Sequence, residues 1–392
     1  MTDGSVILGA ARTPIGAFLG GLAPLTAPEL GAIAIKCAVE RSGVAIDQID
    51  EVFMGSVVQA GVGQAPARQA SLGAGLPKSV PCTTINKVCG SGLKAVMLAA
   101  SQIAAGEYGV IVAGGMESMS SAPYLLRGLR QGLSLGEHSM EDANLTDGLV
   151  DAYGGGHMGL GGEKAAAKSG LSRADQDRFA VRSYQKALAA QRMGAFDDEI
   201  VPVEVKGRKG QVTRVEKDET PRETSFEALA GLTPAFKAGG TVTAGNASKL
   251  SDGAAALVVA GASRARALGA APLARIVAQA QYAHEPDLFL LAPSGAIARV
   301  LEKAGWTADE VDLYEVNEAF SGVEAVRLEI GIAEDRFNVN GGAVALGHPI
   351  GSSGARLLVT LLYALRARGK QRGIVSLCLG GGEAVALAVE VL

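Results

Sequence analysis

Histidine and cysteine are scarce, with four of each in 392 residues, and charged residues make up only 19% of the chain. The cysteines, Cys37, Cys82, Cys89 and Cys378, form no C-x-x-C pair. That excludes a disulfide scaffold and makes a reducing compartment, the cytoplasm, the expected location. The histidines, His138, His157, His284 and His348, are dispersed, with no H-E-x-x-H or Cys/His cluster, so no metal site of that kind is expected. Low charge beside 48% hydrophobic residues excludes a disordered chain. The net charge is −4 and no basic stripe follows a helical pattern, which argues against a nucleic-acid partner. Long apolar runs are missing too. The nearest, residues 95–105, contains Ser101 and Gln102 and is closed by Glu107, too short to cross a bilayer, so no membrane partner is expected. Met1-Thr2-Asp3-Gly4 leads at once into Val6-Ile7-Leu8, which reads as a first strand and not as a signal peptide. No G-x-x-x-x-G-K-[ST] phosphate loop occurs.

What the chain does have is glycine, 53 residues without a short period, suited to tight turns and close backbone approaches. It also has an internal repeat. Gly43-Val44-Ala45-Ile46-Asp47-Gln48-Ile49-Asp50 reads like Gly305-Trp306-Thr307-Ala308-Asp309-Glu310-Val311-Asp312, 262 residues later. Each follows an amphipathic helical pattern, residues 33–41 and 297–303. Each leads into an apolar strand, Val52-Phe53-Met54 and Leu313-Tyr314-Glu315-Val316. At the same offset Gly90-Ser91-Gly92-Leu93-Lys94 matches Ser352-Ser353-Gly354-Ala355-Arg356. At an offset of 264, Gly109-Val110-Ile111-Val112 matches Gly373-Ile374-Val375-Ser376. Residues 1–120 and 271–392 thus read as two copies of one α/β unit with mostly parallel sheets and helices on their faces. Residues 121–270 have no counterpart and read as an inserted lobe. It starts loop-like over 125–149, continues as a helix over 174–193, and then as an alternating strand over 200–205 with a turn at 207–210. A length of 392 residues suits two or three such units. A pseudo-twofold core would bring equivalent loops of the two copies into one cleft.

Four segments carry chemistry. In Asn86-Lys87-Val88-Cys89-Gly90-Ser91-Gly92, Cys89 precedes a helical pattern, and a helix N-terminus stabilises a thiolate. A free Cys is also an ordinary small buried hydrophobe. His348 lies in the glycine-rich 338–356 segment ahead of a second helix, held extended by Pro349. A lone His is commonly structural, but Cys89 maps onto Gly351, so the two loops are twins. In Cys378-Leu379-Gly380-Gly381-Gly382 a buried strand opens into glycines whose N–H groups suit an oxyanion. Two cysteines in separate turns suggest one nucleophile and one proton carrier. Asn317, at the end of a repeat strand, is either a donor into the cleft or a helix N-cap. Ser91-Gly92-Leu93-Lys94 fits S-x-x-K, but no K-T-G accompanies it, and Gly90-Ser91-Gly92-Leu93-Lys94-Ala95 is only a marginal dinucleotide fingerprint.

Together these segments resemble the thiolase family, nearly end to end. The resemblance extends to Ala10-Ala11-Arg12-Thr13-Pro14-Ile15-Gly16, Gly114-Gly115-Met116-Glu117-Ser118-Met119, His157-Met158-Gly159, Thr243-Ala244-Gly245-Asn246-Ala247-Ser248 and Asn317-Glu318-Ala319-Phe320. It implies the duplicated α/β/α/β/α fold and reversible thiolysis or condensation of 3-ketoacyl-CoA. By it, Cys89 is the acylated nucleophile, and His348 takes its proton and shares an oxyanion hole with a water ordered by Asn317. Cys378 moves protons, and the N–H groups of Cys89 and Gly380 form a second hole. Coenzyme A, a substrate and not a cofactor, would meet Leu149, His157, Met158, Arg222, Phe236, Ala244, Ser248, Ala319 and Phe320. Arg222 and the Lys206-Arg208-Lys209 turn are candidates for its phosphates. No metal and no bound cofactor are implied. A dimer or tetramer is, with residues 121–142 at the place of a tetramer-forming loop, and so is a role in fatty acid metabolism. Glu383-Ala384 departs from the apolar or small pair usual after the three glycines, and would either raise the Cys378 pKa or point away. A decarboxylating ketoacyl synthase is the nearest rival, but such enzymes use a second His or a His/Asn pair where this chain has Cys378. A non-catalytic acyl-CoA carrier would have lost one of the three reactive groups.

Overall fold

The computed structural model describes residues 4–154, 156–207 and 210–392. In chain order come β1 (Ser5–Arg12), α1 (Ala27–Ser42), β2 (Glu51–Gly55), β3 (Cys82–Ile85), α2 (Ser91–Ala104) and β4 (Val110–Ser118). The middle of the chain adds α3 (Met158–Lys168), α4 (Arg173–Arg192) and a hairpin of Val203–Lys206 with Val212–Val215. Then follow β5 (Ser251–Gly261), β6 (Ala274–Ala283), α5 (Ala292–Ala304), β7 (Leu313–Val316), α6 (Ser353–Ala367), β8 (Arg372–Leu379) and β9 (Glu383–Val391).

The helices start and stop where local chemistry dictates. Thr26 caps α1 in a reciprocal capping box with Glu29, so the helix begins several residues before the apolar pattern that announces it. Ser172 and Asp175 do the same for α4, which runs almost over the expected span. The repeat's glycines, Gly43 and Gly305, stop α1 and α5 at φ of 67° and 68°, left-handed values that favour glycine.

The strands join in the order β7-β8-β9-β6-β1-β5-β4-β2-β3, with the short Gly16–Ala17 strand beside β5. Parallel pairing is confined to the flanks: β7 with β8, and β2 with both β3 and β4. The central pairs are antiparallel. The α/β expectation holds, but the pairing is mixed where mostly parallel sheets are expected. The reason is local. Strands separated by a crossover helix, such as β7 and β8 around α6, pair in parallel, whereas β8 turns into β9 through three glycines and must pair antiparallel. The insert is also shorter than 121–270, because β5 sits inside the sheet between β1 and β4. It is the first copy's counterpart of β9, and its Ala254 to Ala260 stretch is buried throughout.

Two outer apolar clusters flank the strands. One joins α1 to β1, β2, β4 and β5, and the other joins α5 to β6, β7, β8 and β9. The central cluster contains α2 and α6 together with strand residues of both halves, among them Ile111, Leu257, Val375 and Leu387. The order is therefore helix, strand, helix, strand, helix, with α2 and α6 in the shared middle layer. Each buried Leu or Val there contributes about 1.5–3 kcal/mol. The two central helices meet backbone to backbone at their first turns. A Cβ on Gly354 would stand 2.5 Å from the Leu93 nitrogen, and one on its repeat twin Gly92 would stand 2.8 Å from the Ala355 nitrogen. Only glycine permits that approach, and it draws together the loops that precede each helix.

Candidate active site

Cys89 sits in a tight turn just before α2. Val88 adopts φ of 46°, a strained value for a β-branched residue. Short-range bonds hold it there. Asn86 Oδ1 accepts from the Val88 N–H, and Ser91 Oγ accepts from the Lys87 N–H at 2.8 Å while donating to the Val88 carbonyl at 2.6 Å. Gly90 faces the third loop, where a Cβ would lie 2.5 Å from Leu379 Cδ2. The turn thus aims the sulfur at the end of β8. The Gly380 and Cys89 backbone N–H groups near the sulfur favour its charged form, but burial outweighs them and pushes the thiol up to about 12. This reverses the balance expected for a Cys at a helix start. The dipole and amides are present, yet desolvation wins. Residue 89 keeps part of its surface exposed, while its sulfur is closely surrounded.

His348 lies before α6 and is buried. Its backbone N–H donates to the Lys249 carbonyl at 3.0 Å. Ser353 Oγ is 2.5 Å from Nδ1 and also donates to the Pro349 carbonyl at 2.9 Å. Asn317 Nδ2 stands 3.4 Å from Nε2. Burial, with Arg356 second, lowers the imidazole to about 3, so it is neutral at physiological pH. Ile350, two residues on, shares an apolar cluster with Cys89 and Leu149.

Asn317 continues β7. Its N–H donates to the Ser376 carbonyl on β8 at 3.0 Å, and its Oδ1 is buried without a protein partner. It caps no helix; the next helical turn is preceded by Phe320. Cys378 is fully buried near the end of β8. Burial first, and the charge of Cys89 second, raise its thiol well above the usual value. Glu383 is engaged elsewhere, with Lys87 Nζ 2.5 Å from its Oε2. The carboxylate unusual at this position therefore ties the start of β9 to the Cys89 turn.

The expected coenzyme A contacts cluster beside this cleft. His157 accepts the Gly159 N–H at 3.0 Å, capping α3, and stacks on Phe236 with ring centroids 4.5 Å apart. Phe236 and Phe289 meet Phe320 edge to face. Met158 Cε comes within 3.9 Å of where a Gly380 Cβ would lie. The Ser248 N–H donates to the Ala319 carbonyl at 3.1 Å, and the Ala244 carbonyl accepts from Lys249 at 2.7 Å. Arg222 and Lys249 both lie over the Tyr184 ring, at 5.9 and 5.8 Å. Lys206 ends the first strand of the hairpin, while Arg208 and Lys209 lie outside the described residues. Among the described residues no group of three or more His, Cys, Asp or Glu is placed to hold a metal ion.

Three contributors escaped the sequence reading. Ser353 carried one signal, a hydroxyl one turn beyond the histidine. Lys249 is desolvated and lowered to about 8. Its sequence signal is only a lone cation before a buried strand. Glu117 is a single acid closing an otherwise apolar strand.

The chain is similar to known proteins along nearly its whole length. Residues 5–263 match the family described as "Thiolase, N-terminal domain" and residues 270–391 "Thiolase, C-terminal domain". Acetyl-CoA acetyltransferase of Cupriavidus necator is 52% identical over 392 residues, covering 100% of both chains. That of Pseudomonas aeruginosa is 51% identical over 386 residues, 98% of each. Among solved structures, the Bacillus anthracis acetyl-CoA acetyltransferase superposes with a TM-score of 0.98 at 42% identity, covering 100% of this chain and 99% of the other.

Proposed function

Because this chain belongs to the thiolase family, we propose that it catalyses the reversible reaction of acetoacetyl-CoA and CoA to two acetyl-CoA, through an acyl group on Cys89. The observation that carries this reading is that the charge of Cys89 reaches Cys378 and its sulfur the Gly380 N–H, while Asn317, bonded through its backbone to Ser376 two residues before Cys378, stands 3.4 Å from His348 Nε2.

The resting site holds a neutral thiol and a neutral imidazole. In thiolysis the Cys89 proton passes to His348 as sulfur attacks the keto carbon, so no free thiolate need be stored. The bond between the keto carbon and its α-carbon then breaks. The departing acetyl-CoA enolate takes its proton from Cys378, whose burial keeps that proton in place beforehand. The thiol of incoming CoA gives a proton to the Cys378 thiolate and attacks the acyl carbon. Cys89 leaves and recovers its proton from His348. In this scheme the Gly380 and Cys89 N–H groups stabilise the oxyanion on the acyl-cysteine. His348, with a water held by Asn317 Oδ1, stabilises the enolate oxygen. Each such donor contributes about a hundred- to a thousand-fold in rate. The aromatic group of His157, Phe236 and Phe320, with Met158 and Leu149, takes the pantetheine arm, and Arg222 is the cation offered to the phosphates.

The test is direct. Purified, reduced protein mixed with acetoacetyl-CoA and free CoA should consume the magnesium-enolate absorbance of the substrate. Absence of thiolysis with every 3-ketoacyl-CoA tried would end the reading.

The further parts of the proposal are a cytoplasmic enzyme of fatty acid metabolism working as a homotetramer. No helix among the described residues is long and apolar enough to cross a membrane. The segment after β4 presents Tyr124, Leu129, Leu135 and Met140 to solvent, more apolar surface than a lone subunit usually leaves uncovered. Sedimentation equilibrium should give four chains per particle. A monomer at micromolar concentration would refute assembly.

A further inference from the structure

Glu117 has no part in the steps above, yet it is completely buried at the heart of the molecule. Its carboxylate accepts three backbone N–H groups: Val57 at 3.1 Å and Gly351 at 2.9 Å on Oε2, and Val58 at 3.3 Å on Oε1. Val57 and Val58 follow β2 in the first half. Gly351 lies three residues beyond His348 in the second. One side chain therefore fastens the His348 loop to the half that carries the nucleophile. The fit is close: a Cβ on Gly351 would lie 2.7 Å from Glu117 Oε2 and 2.9 Å from Ser56 Cα.

The repeat gives this contact a further meaning. Gly351 is the counterpart of Cys89, and at the 264-residue offset Glu117 corresponds to Gly381. At one contact between the halves the Cys89 sulfur faces the amide of the Gly380 loop. At the other the Gly351 amide faces the Glu117 carboxylate. The same juxtaposition occurs twice with donor and acceptor exchanged.

The charge of Glu117 is not neutralised by a neighbouring cation. The packed elements bring Asp252 from β5 and Cys89 from the nucleophile turn, while residues 56–58 bring nothing titratable. Burial outweighs the three amides and raises the carboxyl to about 7, and its negative charge in turn opposes ionisation of Cys89.

We propose that Glu117 is a positioning residue of the thiolase reaction, clamping the His348 loop through Gly351 and setting by its charge how readily Cys89 ionises. The proposal rests on Cys89 being the nucleophile, but it can be read without turnover. Alkylation of Cys89 by iodoacetamide, followed by mass spectrometry across pH in the intact protein and in Glu117→Gln, is the experiment. Loss of a like charge should raise the alkylation rate at pH 8 about tenfold, equivalent to about one pH unit. The same variant should lower kcat at least about tenfold with KM within about twofold, because the imidazole loop is loosened. An unchanged alkylation profile in a folded Glu117→Gln protein overturns the electrostatic role, and an unchanged kcat overturns the clamp. If the variant does not fold, the wild-type profile decides. The logarithm of the rate should climb, flatten near pH 7 as Glu117 ionises, and climb again; one unbroken slope overturns the proposal. Normal thiolysis with a flat result would count against Glu117 alone. The expected alkylation shift without any thiolysis would count against the enzymatic reading instead.

Discussion

Cys89→Ala is expected to reduce kcat for acetoacetyl-CoA thiolysis by about 10⁴-fold or more, since removal of a covalent nucleophile leaves only binding and oxyanion stabilisation. Little else should change. The sulfur is one atom in a turn fixed by Asn86, Ser91 and Gly90, none of which depends on it for its own bonds. Cys89→Ser is more informative. A serine hydroxyl is a far weaker acid and a poorer nucleophile than a thiol, so the proton transfer that frees the attacking atom becomes much harder. Incubation with acetyl-CoA and mass spectrometry should show an acetyl group on the wild-type peptide containing Cys89 and none on the serine variant. An acetyl group found instead on the peptide containing Cys378 would exchange the two roles.

Cys378→Ser should behave oppositely. Acetylation of Cys89 from acetyl-CoA should persist, because the thiol, His348 and the Gly380 amide remain. Turnover should fall by about 10²- to 10⁴-fold, the usual contribution of a positioned acid–base group. Burial and the nearby Cys89 already push the Cys378 thiol well above its ordinary value, so its proton is retained until an enolate needs it. A serine hydroxyl is a weaker acid still and would deliver that proton too slowly. Because His348 is neutral far below physiological pH, acylation of Cys89 should show no loss from imidazolium formation between pH 5 and 8. A stopped-flow acylation rate that fell through that range would contradict the assignment. Full turnover in Cys378→Ser would remove Cys378 from the mechanism.

Much of this arrangement was legible in the amino-acid order because duplication leaves a mark that needs no coordinates. The pairs Gly43 with Gly305 and Gly92 with Gly354 recur at one offset, and in three dimensions they prove to be two helix stops and one helix crossing. The positions of Cys89 and His348 in glycine-rich turns follow from the same repeat, whereas Cys378 lies within β8, just ahead of its glycine turn. What stayed hidden depended on depth. The thiol of Cys89 precedes a helix, which favours a low pKa, but the enclosure that reverses the sign is tertiary. Ser353 meets His348 only five residues away, but a lone hydroxyl does not announce that contact. Glu117 acts on Gly351 across the pseudo-dyad, and Lys249 is desolvated beside the distant Tyr184 and Arg222, so no local window reveals either. By sequence β5 reads as part of the insert, because its Ala-rich run resembles no part of the repeat by identity, though it pairs with β1 and β4 as β9 pairs with β6 and β8.

The glycine crossing of the two central helices has a consequence for how the protein fails. Sulfur and imidazole ride on different halves, and their separation is set by one seam of bare backbone with no side chain to cushion it. A slip of an ångström along that seam would leave both outer helical layers folded and circular dichroism nearly unchanged, while the reacting groups lost their alignment. Gentle heating should therefore silence the chemistry some degrees before it melts the secondary structure.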